Sequence, residues 1–363
     1  LSALLELNTP GLMVESSTVR EYHTEYAAHI LGYVGGMDSN DWEKYKDQGY
    51  SMDAYIGQAG MEEAFEDYLH GIDGTRVDVV SRDGTIMQQY YANKYDENGN
   101  IIGKYEPVAG NNVETTIDLD LQIATEDALE RVMKEITNPE INTKQGEKQG
   151  HDAEGAAAIV MDVKTGDILA CASYPTYNLA TMNEDWAAIE ADPNKPFFNR
   201  AFGATYAPGS TFKMVTLTAA MNNKNSEGEL LFKPDEEIVA KGVWNEWAGF
   251  APTCMIWSPE TPYTHGVLTA PEALKVSCNY FFYELASRMT IQMLDDTSKA
   301  FGLGEPTGIE LYEKVGWRAN EESKKASYST AVNQQWSAGD RVLAGIGQTE
   351  NRFTPLQLCV YAS

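Results

Sequence analysis

A helix running from Phe212 to Met221 would have almost no polar face to show to water. At helical spacing Phe212, Met214, Val215, Leu217, Ala219 and Ala220 cover most of its circumference. Such a helix has to be buried in a core, and it carries Lys213. Burying a lysine is expensive unless it has work or a partner. Desolvation and the positive end of the helix dipole both favour its neutral form. Just upstream, Pro208-Gly209 makes a turn and Ser210 opens the helix. Ser210 and Lys213 are three residues apart, so they share one face a turn from each other. A neutral lysine beside a serine hydroxyl is a general base beside a nucleophile. The Ser210 N–H, at a helix start, can point into an oxyanion hole. The Lys213 nitrogen is accordingly expected within hydrogen-bond reach of Ser210. The plainer alternative makes Ser210 a helix cap and lets Lys213 snorkel to the surface, since a Ser-x-x-Lys arises by chance about once in a chain this long.

A second element, Ser277-Cys278-Asn279, lies between a helix at Ala270–Lys275 and an aromatic helix beginning at Tyr280. Ser277 could relay a proton between Lys213 and a leaving amine. Asn279 could hold a backbone amide of a substrate. Both residues also favour helix N-caps, which is the structural alternative.

The surrounding pattern is α/β (α+β). Val113–Ile117 predicts a strand, and Asp118 predicts the cap of a helix carrying Leu121, Ile123, Ala124, Ala128, Leu129 and Val132. Ala156–Met161 and Ile168–Ala172 flank the turn Lys164-Thr165-Gly166-Asp167 and predict a buried antiparallel hairpin. Helices follow at 212–221, 270–275, 280–289 and from Thr354. An antiparallel sheet flanked by helices is therefore expected from 113 to 363. Residues 1–112 are broken by many glycines and form an irregular α+β module. In it Arg76–Val80 predicts a strand with a turn at Ser81–Gly84, Met61–Leu69 a short helix, and Asn98-Gly99 a hairpin between tyrosine-rich segments.

Composition narrows the function. The 363 residues carry 27 Lys plus Arg against 54 Asp plus Glu, a formal charge of −27, which disfavours nucleic-acid phosphates and anionic lipid headgroups. No apolar run approaches the ~20 residues needed to span a bilayer. No signal peptide is visible, and Leu1–Leu5 read like the interior of a longer protein. Cys171, Cys254, Cys278 and Cys359 form no CxxC pair, and His23, His29, His70, His151 and His265 are scattered. The expectation is four separate buried thiols, no metal site and no cofactor. A Cys254–Cys278 disulfide stays open.

A Ser-x-x-Lys followed by a Ser-x-Asn is the pairing found in serine β-lactamases and penicillin-binding proteins. The likeness extends further. Asn199–Phe202 leading through Tyr206-Ala207-Pro208-Gly209 to Ser210 resembles the approach to the nucleophile in class B penicillin-binding proteins. So do the hairpin with Asp162, Thr165-Gly166 and Ile168-Leu169-Ala170, and the segments Gly345-Ile346-Gly347-Gln348 and Thr354-Pro355-Leu356-Gln357-Leu358. His29–Gly35 and Gly57–Glu62 resemble that family's N-terminal pedestal. The resemblance implies a transpeptidase domain over 113–363 and a pedestal, or dimerisation-type, domain over 1–112. It implies a peptidoglycan D,D-transpeptidase acting on D-Ala-D-Ala stem peptides through a serine acyl-enzyme, with β-lactams as inhibitors. Ser210 would be the nucleophile and Lys213 its base, with Ser277 and Asn279 both catalytic and substrate-binding. The implied partner is a polytopic membrane glycosyltransferase, at an extracytoplasmic site on the bacterial membrane, anchored by an N-terminal segment outside this chain.

One departure stands out. The family carries a Lys-Thr/Ser-Gly motif after the Thr-Pro-Leu-Gln segment, and this chain ends at Ser363 without it. Lys164-Thr165-Gly166 precedes Ser210 and reads as a hairpin turn. The chain as it stands is therefore expected to be an impaired catalyst. The alternatives are a related carboxypeptidase or β-lactamase, or a catalytically inert scaffold.

Overall fold

The computed structural model describes residues 20–82, 84–142 and 150–363. The Leu1–Leu5 segment, Asp83 of the Ser81–Gly84 turn and most of the polar loop before Gly150 lie outside the described residues. The chain divides into two compact units: one takes Leu1–Thr116 together with Thr176–Phe197, the other Ile117–Pro175 and Phe198–Ser363.

Among the described residues, the first unit holds three antiparallel ribbons. Strands β1 (Val34–Gly36) and β2 (Tyr55–Gly57) pair, as do β3 (Arg76–Val80) and β4 (Ile86–Tyr91), and β5 (Asn93–Tyr95) and β6 (Ile101–Lys104). Asp96 closes the last ribbon by accepting the N–H groups of Asn98 and Asn100. The helix expected at Met61–Leu69 is two, Gly60–Ala64 and Glu66–Leu69, because Phe65 leaves the helical region at φ −111° and ψ 20°. The break accompanies burial of Glu66, whose carboxylate accepts the Gly57 N–H at 2.7 Å and the Tyr50 hydroxyl at 3.1 Å. A small core joins Ala28 to Tyr177, Leu179 and Met182. Its second half comes from the excursion 176–197, whose membership of this unit the sequence pattern did not signal.

The second unit holds α1 (Leu119–Thr137), β7 (Ala156–Met161) and β8 (Ile168–Tyr174). Asp118 caps α1 by accepting the Leu121 N–H at 3.0 Å. β7 and β8 pair antiparallel, and Lys164-Thr165-Gly166 is the turn between them, with Gly166 at φ 82°. Gln122 reaches from α1 to β8. Its side-chain oxygen accepts the Cys171 N–H at 2.7 Å, and its Nε2 donates to the Cys171 carbonyl at 2.8 Å. Val113–Ile117 forms no strand, since β-branched propensity alone does not make one.

Downstream come α2 (Lys213–Asn222), β9 (Ile238–Ala240), β10 (Gly266–Leu268), α3 (Ala270–Lys275), α4 (Asn279–Ser287), α5 (Ala338–Ala344) and α6 (Pro355–Ala362). β9 and β10 pair and close the long connection 241–265. The main core gathers Phe212, Val215, Phe232, Trp244, Phe281, Phe282, Leu285, Val342 and Phe353 around α2 and α4. Among the described residues, no helix is long and apolar enough to cross a membrane.

Candidate active site

Ser210 lies in a 3-10 turn, Gly209–Phe212, that leads directly into α2. It is exposed, while Lys213 three residues on is only 1% exposed. The turn is pinned from behind: the Gly209 N–H donates to the Gly347 carbonyl at 2.9 Å. Gly347 stands at φ 73°, and a Cβ there would lie 2.2 Å from the Gly209 oxygen. Only glycine fits both the dihedral and the space.

The other wall of the site is a helix ending. At the end of α3 the Ser277 N–H donates to the Leu274 carbonyl and the Cys278 N–H to the Ala273 carbonyl. This is the paired bonding of a Schellman cap, whose left-handed position usually holds glycine. Ser277 occupies it at φ 51°. A non-glycine residue held there stores roughly 1–3 kcal/mol of strain. The cap turns both the Ser277 carbonyl and its hydroxyl toward Lys213, and α4 starts at Asn279 with its side chain facing the same point.

Lys213 Nζ donates to the Ser277 carbonyl at 2.8 Å, to Ser277 Oγ at 3.0 Å and to Asn279 Oδ1 at 2.6 Å. The Phe282 ring covers it at 5.5 Å. Burial pushes its pKa down from 10.5 to about 8, partly opposed by the nearby Cys254 and Cys278 sulfurs. The structure thus brings Lys213, Ser277 and Asn279 together and places Ser210 one turn away. Among the described residues no hydrogen bond joins Ser210 Oγ to Lys213; the three donors of the ammonium are all taken at the other wall.

The expectation of four separate thiols does not hold for Cys254 and Cys278. Cys254, His265 and Cys278 bring their ligand atoms within 4.8 Å of one another. The two sulfurs are 3.9 Å apart, and Cys254 Sγ is 3.5 Å from His265 Nδ1. Tetrahedral coordination with metal–sulfur bonds of about 2.3 Å and metal–nitrogen bonds of about 2.0 Å separates such atoms by about 3.8 and 3.5 Å. The donor set fits a soft divalent ion such as zinc. Spacing alone hid it, because the connection 241–265 folds back to place Cys254 and His265 against the residue between Ser277 and Asn279. The Cys278 thiol and the N–H groups of Tyr280, Asn279 and Ile256 all point at the Cys254 sulfur and hold its pKa down, while Cys278 is pushed up in turn. All four cysteines are free, so the possible disulfide is not formed.

Residues 156–362 match the penicillin binding protein transpeptidase domain, and residues 4–115 match the penicillin-binding protein dimerisation domain. The chain belongs to the class B penicillin-binding proteins. Peptidoglycan D,D-transpeptidase MrdA of Acinetobacter baumannii is 25% identical over 361 residues, covering 97% of this chain and 46% of that protein. The MrdA of Haemophilus influenzae is 30% identical over 363 residues, covering 96% of this chain and 48% of that protein. This penicillin-binding protein chain therefore spans about half the length of the curated relatives it matches. A solved structure described as a peptidoglycan synthase complex that coordinates polymerization and crosslinking is similar at 29% identity and TM-score 0.72, over 93% of this chain and 53% of that one.

Proposed function

We propose that this chain carries the acyl-donor site of a peptidoglycan D,D-transpeptidase. The observation that carries the reading is the buried Lys213, held by Ser277 and Asn279 one turn after an exposed serine. Ser210 Oγ attacks the carbonyl between the two D-alanines of a stem peptide. The C–N bond breaks, terminal D-Ala leaves with a proton, and an acyl-serine ester remains. The amine of a neighbouring stem peptide then takes the acyl group and frees Ser210. A β-lactam enters by the same attack and stays as a stable ester.

The proton traffic follows from the acceptors around Lys213. The Ser277 carbonyl and Asn279 Oδ1 can only accept, so a neutral lysine spends both its N–H groups on them. Its lone pair then faces Ser277 Oγ, whose O–H donates back. Lys213 takes up the Ser210 proton, and Ser277 is the relay that returns a proton from it to the leaving amine. The Ser210 N–H supplies one oxyanion donor.

In this reading residues 113–363 form the transpeptidase domain and residues 1–112 the pedestal, and the protein works at the outer face of the bacterial membrane, anchored by a segment outside this chain. Its partner is a polytopic membrane glycosyltransferase. The similar peptidoglycan synthase complex, which joins polymerization to crosslinking, supports that pairing. Mass spectrometry after β-lactam treatment of the intact protein tests the site: the adduct is expected on Ser210, and labelling that survives Ser210→Ala overturns the assignment.

A further inference from the structure

We propose that Thr216 is a positioning residue: together with the segment Gly345–Gly347 it splints the turn between Ser210 and Lys213 and holds the two side chains in register. The inference rests on the transpeptidase reading of that pair. Ser210 to Lys213 is wound as a 3-10 turn, closed by the Lys213 N–H donating to the Ser210 carbonyl. In such a turn side chains three apart eclipse, and each residue rises about 2.0 Å. In an α-helix three residues turn through only about 300° and rise about 1.5 Å each. The 3-10 winding therefore sets the serine directly in line with the lysine, where α winding would swing them apart by about 60°. α Winding competes for the same residues, since α2 begins at Lys213 itself. Keeping the register requires that both ends of the turn be held.

Both ends are bonded to one short segment. Just before Ser210, the Gly209 N–H donates to the Gly347 carbonyl at 2.9 Å. One turn after Lys213, the Thr216 hydroxyl donates to the Gly345 carbonyl at 2.7 Å. A helical threonine commonly turns its hydroxyl back onto the carbonyl four residues earlier. Thr216, fully buried, reaches instead to a residue 129 positions away. Gly345 closes α5, where the last carbonyls have no partner within the helix and need a donor from outside. The piece between the two anchors is stiff. The Ile346 N–H donates to the Leu343 carbonyl and the Gly347 N–H to the Ala344 carbonyl. A Cβ on Gly345 would lie 2.4 Å from Ala286 Cβ, so this piece is seated against α4, the helix that begins at Asn279. A rigid piece bonded at Gly209 and at Thr216 fixes the span between them, and Ser210 and Lys213 lie inside that span.

The test is acylation of the intact protein by benzylpenicillin, with Thr216→Val, which keeps the shape and drops the hydroxyl, beside Thr216→Ser, which keeps the hydroxyl. A series of β-lactam concentrations separates the dissociation constant of the first complex from the acylation rate constant. Thr216→Val should lower the rate constant roughly tenfold, about what one lost buried hydrogen bond is worth, and leave the dissociation constant within about twofold. Thr216→Ser should keep the rate constant within about threefold of wild type. Thr216→Ala, which leaves room for a water on the Gly345 carbonyl, is read in the same way as Thr216→Val where the valine protein does not fold, because a water satisfies the carbonyl without fixing the span. A hydroxyl-less protein that acylates at the wild-type rate overturns the inference. So does a Thr216→Ser protein as slow as Thr216→Val, which would mean that the methyl packs and the hydroxyl does nothing, and so does a loss confined to the dissociation constant. A wild-type protein that takes no label on Ser210 sinks the transpeptidase reading itself, whereas a labelled wild type with an unaffected Thr216→Val sinks the splint alone.

Discussion

Ser277 binds the Lys213 nitrogen twice, through its carbonyl at 2.8 Å and its hydroxyl at 3.0 Å. The two contacts are separable by mutation. A carbonyl stays when a side chain is cut back, so Ser277→Ala should leave Lys213 buried and in place but without its relay.

Lys213→Ala should therefore slow acylation of the intact protein by about 10²–10⁴, the range of a positioned base. Ser277→Ala should slow it less and leave substrate binding nearly unchanged, because it removes the relay and not the base. Stopped-flow acylation with a chromogenic β-lactam separates the two. A Ser277→Ala protein as slow as Lys213→Ala would show that Lys213 acts on Ser210 only through Ser277.

The acylation rate should rise with pH through about 8 and then level off, since the base must be neutral and the Lys213 pKa stands near that value. Stability carries the same signature. The unfolded lysine keeps its proton up to 10.5, so between about 8 and 10.5 the unfolded chain binds more protons and stability rises with pH. Below about 8 the penalty is fully present, on the order of 3 kcal/mol. Denaturation of wild type and Lys213→Met across this window isolates the effect, as the other titrating groups cancel. A constant difference between the two proteins would show that Lys213 is not depressed.

Gly347→Ala should damage catalysis without any change at Ser210 or Lys213. The added Cβ would meet the Gly209 oxygen at 2.2 Å and Phe212 Cβ at 2.8 Å, at a φ of 73°. Relief has to come from moving the turn that presents Ser210. We expect a loss of about 1–3 kcal/mol in stability and at least tenfold slower acylation in protein that remains folded below its melting temperature. Wild-type acylation in this variant would show that the turn is not held by the 345–348 segment.

What the sequence disclosed was local. The hairpin expected at Ala156–Ala172, the cap at Asp118 and the helix bearing Lys213 each follow from spacing and side-chain type over a dozen residues. Ser277 and Asn279 were legible as a motif, but the reason that Ser277 holds them in place was not: a Schellman cap with serine in the glycine position shows only in the backbone. Cys254 and His265 lie 24 and 13 residues before Cys278, and only the closure of β9 on β10 brings them to it. Val113–Ile117 failed in the opposite sense, since its composition promised a strand and local propensity does not make one by itself. Cysteine beside serine in the second motif was the one available hint that a further cluster adjoined the site.

The Gln122 side chain does to β8 what a neighbouring strand would do. By taking both the N–H and the C=O of Cys171 it sews shut that edge of the ribbon, and the Asp118 N–H occupies the Leu169 carbonyl beside it. Among the described residues, the edge of β7 carries no such stitch. The hairpin is therefore a one-sided template: it can recruit a further strand along β7 and is closed to any strand approaching from β8, so whatever extends this sheet can grow it in one direction only.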